Sequence, residues 1–153
     1  MDNPKSLDIP ELYKLKLFLG DLQRSLDAGQ CEVWFEVEGF DLAEAVFDAD
    51  QIFKAAYPDL HESKKEIIAT TVVEMTEKIT ACIVNPAYFS PHFTGQNNLS
   101  LSYWIHLKEC IDYTVSAVYE CTHSVWYMCW NFVYVVYNER QRRCLALFGG
   151  ASD

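Results

Sequence analysis

The stretch Trp130-Asn-Phe132-Val-Tyr134-Val-Val-Tyr137-Asn138-Glu-Arg140-Gln-Arg142-Arg143, continued by Cys144-Leu-Ala-Leu-Phe148, decides how this chain folds. Trp, Phe, Tyr and Val dominate it, the residue types that suit a pleated, packed surface. Trp130, Phe132, Tyr134 and Val136 fall on one side of an extended backbone, and Val133, Val135 and Tyr137 on the other. Both sides are apolar, so the strand is expected to be covered on both faces and central in its sheet. Asn138-Glu139-Arg140-Gln141 has the composition of a turn. Three antiparallel strands are therefore predicted, at about 114–121, 125–137 and 142–148.

Upstream, Asp8 and Pro10 mark a helix start. Leu12, Leu15, Leu19, Leu22 and Leu26 then share one helical face, and Ala28-Gly29 ends the helix. Cys31 to Glu38 alternates: Val33, Phe35 and Val37 point one way, and Glu32, Trp34, Glu36 and Glu38 the other, which predicts a half-buried strand with an acidic outer face. A weak helix is expected over Asp41 to Tyr57, burying Phe47, Ile52, Phe53 and Ala56. A long helix is expected over Leu60 to Val84, with Ile68, Val72, Met75, Ile79 and Ile83 on one side. The β-branched run Thr70 to Val73 lowers its local propensity, so packing must hold it. Pro86, Pro91 and Gly95 place a long loop at 85–98, and Leu101, Trp104, Ile105 and Ile111 a last helix over 99–112. The expected fold class is α+β, a central antiparallel sheet of about four to five strands with helices packed against it. It forms a single globular domain, 1–153, whose residues 1–7 are a flexible N-terminus.

Composition excludes several function classes. With 153 residues, 50% of them hydrophobic, the chain can bury a real core. A net charge of −10 argues against a polybasic nucleic-acid binder, so no direct sequence-specific binding of nucleic acid is expected. No apolar run is long enough for a membrane-spanning helix, and Met1 to Pro10 has no apolar signal core, so neither a membrane nor a secreted protein is expected. Cys31, Cys82, Cys110, Cys121, Cys129 and Cys144 lie in apolar runs without C-x-x-C spacing, as reduced, buried thiols do. Cys121, His123 and Cys129 invite a metal reading but lack a fourth ligand and a standard spacing. There is no nucleophile elbow, phosphate loop or matched acid–base pair, and His61, His92, His106 and His123 are dispersed. No catalytic residue, metal or cofactor is expected. Arg140, Arg142 and Arg143 form the one tight basic cluster, able to grip carboxylates or phosphates.

The run Trp130–Arg143 resembles, without a gap, the C-terminal signature of the Maf-one family of RNA polymerase III repressors. Pro86-Ala-Tyr88-Phe89-Ser90 is similar to a shortened form of that family's Pro-Tyr box, Gly29 to Phe40 to its first long strand, and Asp50 to Lys54 to the segment after it. The chain departs from the family in lacking its acidic loop before the signature Trp and its long phosphorylated insert. The resemblance implies a non-enzymatic negative regulator that binds RNA polymerase III subunits, with its initiation factors as further partners. Such a protein would block assembly of the initiation complex and reside in nucleus and cytoplasm. By family position Trp130, Phe132, Tyr134 and Tyr137 would mostly be hairpin core, and Asn138, Arg140, Arg142 and Arg143 exposed partner contacts. The alternatives are an acidic protein-interaction domain unrelated to transcription, or a small Cys/His metal-binding protein.

Overall fold

A computed structural model describes residues 4–26, 32–58, 65–85, 96–123 and 130–152. Its elements run β1 (Lys5–Ser6), α1 (Pro10–Leu26), β2 (Glu32–Asp41), α2 (Ala49–Ala56), β3 (Lys65–Thr70), α3 (Val72–Val84), α4 (Gln96–Cys110), a 3-10 turn at Tyr113–Val115, β4 (Ala117–His123), β5 (Trp130–Asn138) and β6 (Arg143–Ser152). The strands form one sheet in the order β1-β2-β6-β5-β4-β3, every pair antiparallel. The α+β class holds, with six strands where four to five were expected.

The two-sided pattern of the signature stretch has the anticipated result. β5 lies between β4 and β6, with Phe132, Tyr134 and Val136 buried on one face and Val133 and Val135 on the other. On the first face sit α1, α3 and α4: Leu12, Leu15, Leu19, Leu22 and Leu26 meet Val33, Phe35 and Val37 there, together with Met75, Ile79, Tyr103 and Leu107. Burial of a leucine side chain is worth about 1.5–3 kcal/mol, so the α1 stripe alone is a large part of what fixes this layer. Trp104 Nε1 donates to Thr80 Oγ1 at 3.0 Å and ties α4 to α3. The opposite face carries α2, whose Ile52 and Phe53 pack with Leu42 and Tyr57 on Cys144, Ala146 and Phe148. Tyr57 donates its hydroxyl to Ala146 O at 3.0 Å, satisfying a buried polar group.

Gly149 explains how the aromatic row fits. It stands opposite Phe132 on one side and Phe35 on the other, and a Cβ there would lie 2.2 Å from Phe132 Cε2. The ring occupies the space a side chain would need.

Several expectations are corrected. The long helix over Leu60 to Val84 is instead β3 followed by α3, with Thr71 as the break: its Oγ1 accepts from Glu74 N at 3.1 Å. Ile68 therefore belongs to β3 and is 47% exposed rather than helical core. The helix over Asp41 to Tyr57 begins only at Ala49, because Asp48 caps it, accepting from Asp50 N and Gln51 N. β2 runs three residues past Glu38, to Asp41. α4 starts at Gln96, within the expected loop 85–98, and it buries Ser100, Tyr103, Leu107 and Cys110 while Leu101 and Ile105 face solvent. Part of the expected flexible terminus is anchored: Lys5 and Ser6 pair with Asp41 and Phe40, and Leu7 is buried. Cys82, Cys110, Cys121 and Cys144 are buried, as expected; Cys31 and Cys129 lie outside the described residues. No helix among the described residues is long and apolar enough to cross a membrane.

Candidate functional site

The β5–β6 turn is where the sequence concentrates its guanidinium groups. Asn138 and Arg143 form the last ladder pair, and Glu139 to Arg142 make the turn. Arg142 closes it with φ 53°, in the left-handed region that a non-glycine residue adopts at a cost of about 1 kcal/mol. Its side chain shows what holds it there: Nη2 donates to Ala45 O at 2.9 Å and Nη1 to Tyr137 Oη at 3.1 Å. Leu42 N also donates to Arg142 O at 2.8 Å. The turn is thereby clamped to the segment before α2. Phe47 of that segment stacks on Tyr137 at 4.3 Å, the ring planes 1° apart.

The other flank is tied to the end of α4. Arg143 Nη1 donates to Cys110 O at 3.1 Å, placing a cation at a helix C-terminus, where the macrodipole favours it. Burial first, then Glu11 and Glu109, pushes the Cys110 thiol up to about 12, while Arg143 pulls it the other way. Gln141 Oε1 accepts from Asp112 N at 2.9 Å. Asn138 is only 3% exposed and sits at the centre of this network. It donates Nδ2 to Asp112 O at 3.1 Å and to Ser116 Oγ at 3.3 Å, and its Oδ1 accepts from Gln141 N at 2.9 Å.

Of the four residues expected as exposed contacts, the structure places three inside the fold's own hydrogen bonding: Asn138, Arg142 and Arg143. The spacing of the cluster signals a basic turn but not which guanidiniums the protein consumes itself. Arg140 is different. It is exposed, and among the described residues no hydrogen bond or ion pair engages it. It borders an open cleft of about 360 Å³ with Asp112, Val115, Asn138, Glu139 and Gln141. Sequence reading missed Val115, which is 74% exposed at the rim of this cleft.

The hairpin residues divide by face. Phe132 and Tyr134 are buried, and Trp130 and Tyr137 half-buried, so this quartet is core and core margin. Pro86, Tyr88, Phe89 and Ser90 lie outside the described residues, as do Cys129 and the side chain of His123. Among the described residues no group of three or more His, Cys, Asp or Glu side chains is placed to hold a metal ion.

A six-stranded antiparallel sheet with three helices on one face and one on the other defines the class: an α+β globule built around a central aromatic hairpin. Among solved structures that architecture is found in citrus MAF1. One crystal form, in space group P 31 2 1, superposes with a TM-score of 0.60 at 11% identity, covering 93% of this chain and 98% of that one. A second, in C 2 2 21, gives 0.57 at 12% identity, covering 93% and 99%. The chain has the fold of citrus MAF1 over nearly its whole length. No family model and no curated protein sequence matches it.

Proposed function

We propose that this protein is a non-enzymatic negative regulator of RNA polymerase III transcription, which binds the polymerase and blocks assembly of its initiation complex. The observation that carries the reading is a coincidence of two likenesses. The ungapped Trp130–Arg143 signature falls on β5, its turn and the start of β6, the centre of a fold that matches citrus MAF1 across 93% of the chain. At −10 the chain suits a partner with basic surfaces, and opposite charge speeds such association. On this reading Arg140 and the cleft beside it belong to the contact surface, the initiation factors are further partners, and the protein works in the nucleus and is held also in the cytoplasm.

Affinity capture from an extract of the source organism tests it directly. The large polymerase III subunits should be retained at low salt and released as salt rises, and added protein should reduce transcription of a transfer-RNA gene in that extract. Folded protein that captures no polymerase subunit and leaves transcription unchanged refutes the proposal.

A further inference from the structure

The two edges of the sheet are finished differently. At one, β1 pairs with the end of β2, and Gln23 Oε1 of α1 accepts from Phe35 N at 2.7 Å, so a side-chain amide stands where a strand would. At the other, no strand of the described residues lies beyond β3. In an antiparallel ladder each residue turns its N–H and C=O to one neighbour, and successive residues alternate. Leu42 N donates to Arg142 O, so the even-numbered residues of β2 bond to β6. Carried along the register through β6, β5 and β4, this alternation bonds Glu66, Ile68 and Thr70 to β4. Thr122 Oγ1 also donates to Glu66 O, at 3.3 Å, from the β4 side. The N–H and C=O of Ile67 and Ala69 therefore face the open side. Among the described residues no hydrogen bond reaches them there, and Glu66, Ile68 and Ala69 are all exposed. Natural proteins usually cover, bend or break such an edge, yet the β3 register runs without a bulge or proline from Lys65 to Thr70.

The two faces of β3 differ in chemistry. Ile67 and Ala69 stand opposite Cys121 and Tyr119, and Ile67 packs into the apolar layer on the α2 face. Glu66, Ile68 and Thr70 lie on the α3 face, where Ile68 is 47% exposed with Glu120 opposite it. Thr70 donates its hydroxyl to the Glu74 carboxylate and holds it over the end of the strand. Burial first, and then Glu120, Cys82 and Glu74, raises the Tyr134 hydroxyl above its ordinary value, so both carboxylates act on one side chain behind the strand. Among the described residues no ion pair engages Glu66, Glu74 or Glu120. An exposed isoleucine thus lies among three unpaired carboxylates, beside backbone groups with no strand to meet them.

We propose that β3 takes up an extended segment of a partner protein as an added strand, one that carries Lys or Arg at alternate positions and aliphatic residues between them. Main-chain hydrogen bonds to Ile67 and Ala69 supply affinity, and the alternate side chains supply selectivity. Residues directly opposite share a face, so the basic side chains lie beside Glu66, Ile68 and Thr70 and the aliphatic ones beside Ile67 and Ala69. A lysine opposite Ile68 lays its stem over that side chain and carries its ammonium toward Glu120. Charge selects this occupant over a second copy of the chain. Antiparallel self-pairing of β3 sets Glu66 opposite or diagonal to its own copy, or opposite Thr70 beside Glu74, and like charges so placed repel. The inference does not rest on the polymerase reading.

The probe is a fluorescein-labelled heptapeptide of alternating lysine and valine, titrated into the full chain and followed by anisotropy. It should bind, whereas a peptide of the same composition with its lysines grouped and one with glutamate for lysine should not. Glu66→Lys should weaken binding about tenfold or more, because it reverses a charge facing the peptide. Ala69→Pro should do the same without altering charge: it removes an N–H that faces the open side, a position where an edge strand tolerates proline, and should leave the urea midpoint close to that of the parent. At saturation, amide exchange at Ile67 and Ala69 should slow about tenfold, while Ile68 and Thr70, already bonded to β4, stay unchanged. Equal binding of the grouped-lysine peptide, indifference to Glu66→Lys or to folded Ala69→Pro, or unchanged exchange at Ile67 and Ala69 overturns the proposal. So does a concentration-dependent dimer that Ala69→Pro abolishes, which would assign the edge to a second copy of the chain.

Discussion

Replacing Asn138 by Ala separates the two roles open to the β5–β6 turn. If Asn138 is a partner contact, its removal should leave stability within about 0.5 kcal/mol of the parent, as for ordinary surface positions. The structure demands more. Three hydrogen bonds converge on a side chain that is 3% exposed. At about 0.5–1.5 kcal/mol net for each, their sum is about 1.5–4.5 kcal/mol. Part is returned in the variant. Ser116 Oγ still donates to Asp112 O, at 2.6 Å, and the exposed Gln141 can give its N–H to water. The expected loss is therefore about 2–3 kcal/mol, or roughly 5–10 °C in melting temperature for a chain of this length. Urea unfolding followed by circular dichroism measures it, as a lower midpoint at unchanged slope. Asn138→Asp should fall between, because it keeps the acceptor for Gln141 N and loses the Nδ2 donor. Parent-like stability in Asn138→Ala would refute the view that this network, rather than partner binding, explains the residue.

The arginines of the turn should part company. Arg140→Glu should leave the unfolding midpoint within about 0.5 kcal/mol while weakening polymerase capture, whereas Arg142→Ala should cost about 2–3 kcal/mol by losing its bonds to Ala45 O and Tyr137 Oη. Because φ is 53° at Arg142, Arg142→Gly should be milder than Arg142→Ala by about 1 kcal/mol, a ranking that urea titration can reverse. Gly149→Ala drives a methyl group into the Phe132 ring and should cost about 3 kcal/mol, with part recovered when Phe132→Leu is added; additive losses would count against the packing argument. Finally, Glu36 is raised above its ordinary 4.5 by burial and Glu38. The native state then holds that proton more tightly than the unfolded chain, so the stability it contributes is full at acid pH and lost as pH rises through the native value. Glu36→Gln should flatten that decline where pH rises above the ordinary carboxyl value, in parallel melting series.

Much of the fold could be read in the sequence wherever one period dominated. The leucine stripe of α1, the alternation of β2 and the two-sided apolar pattern of β5 bury the residues expected of them, except that Trp130 and Tyr137 at the ends of β5 are half-buried. The signal failed where two periods overlap. Ile68, Val72, Met75, Ile79 and Ile83 keep helical spacing straight across the junction of β3 and α3, so spacing alone predicts one helix over both. The spacing of Thr71 and Glu74 is that of a capping box, and together with the β-branched residues before it could have placed the break. α4 failed differently. The spacing of Leu101, Trp104 and Ile105 pointed to one side, but apolar residues lie all around the helix, and the face buried, with Tyr103 and Leu107, is set by packing against α1 and α3. The candidate site was half legible: its location followed from a basic turn after an aromatic strand, but the partners of each arginine did not.

Local periodicity and turn chemistry, which act between near neighbours in the chain, settled α1, β2 and the central β5–β6 hairpin. Contacts between residues far apart settled the rest. Ala45 and Cys110 come to the turn from distant positions and take up Arg142 and Arg143, leaving Arg140 facing solvent. This arrangement has no sequence period, since a carbonyl that accepts from a guanidinium can belong to any residue type and is chosen only by the packing that delivers it.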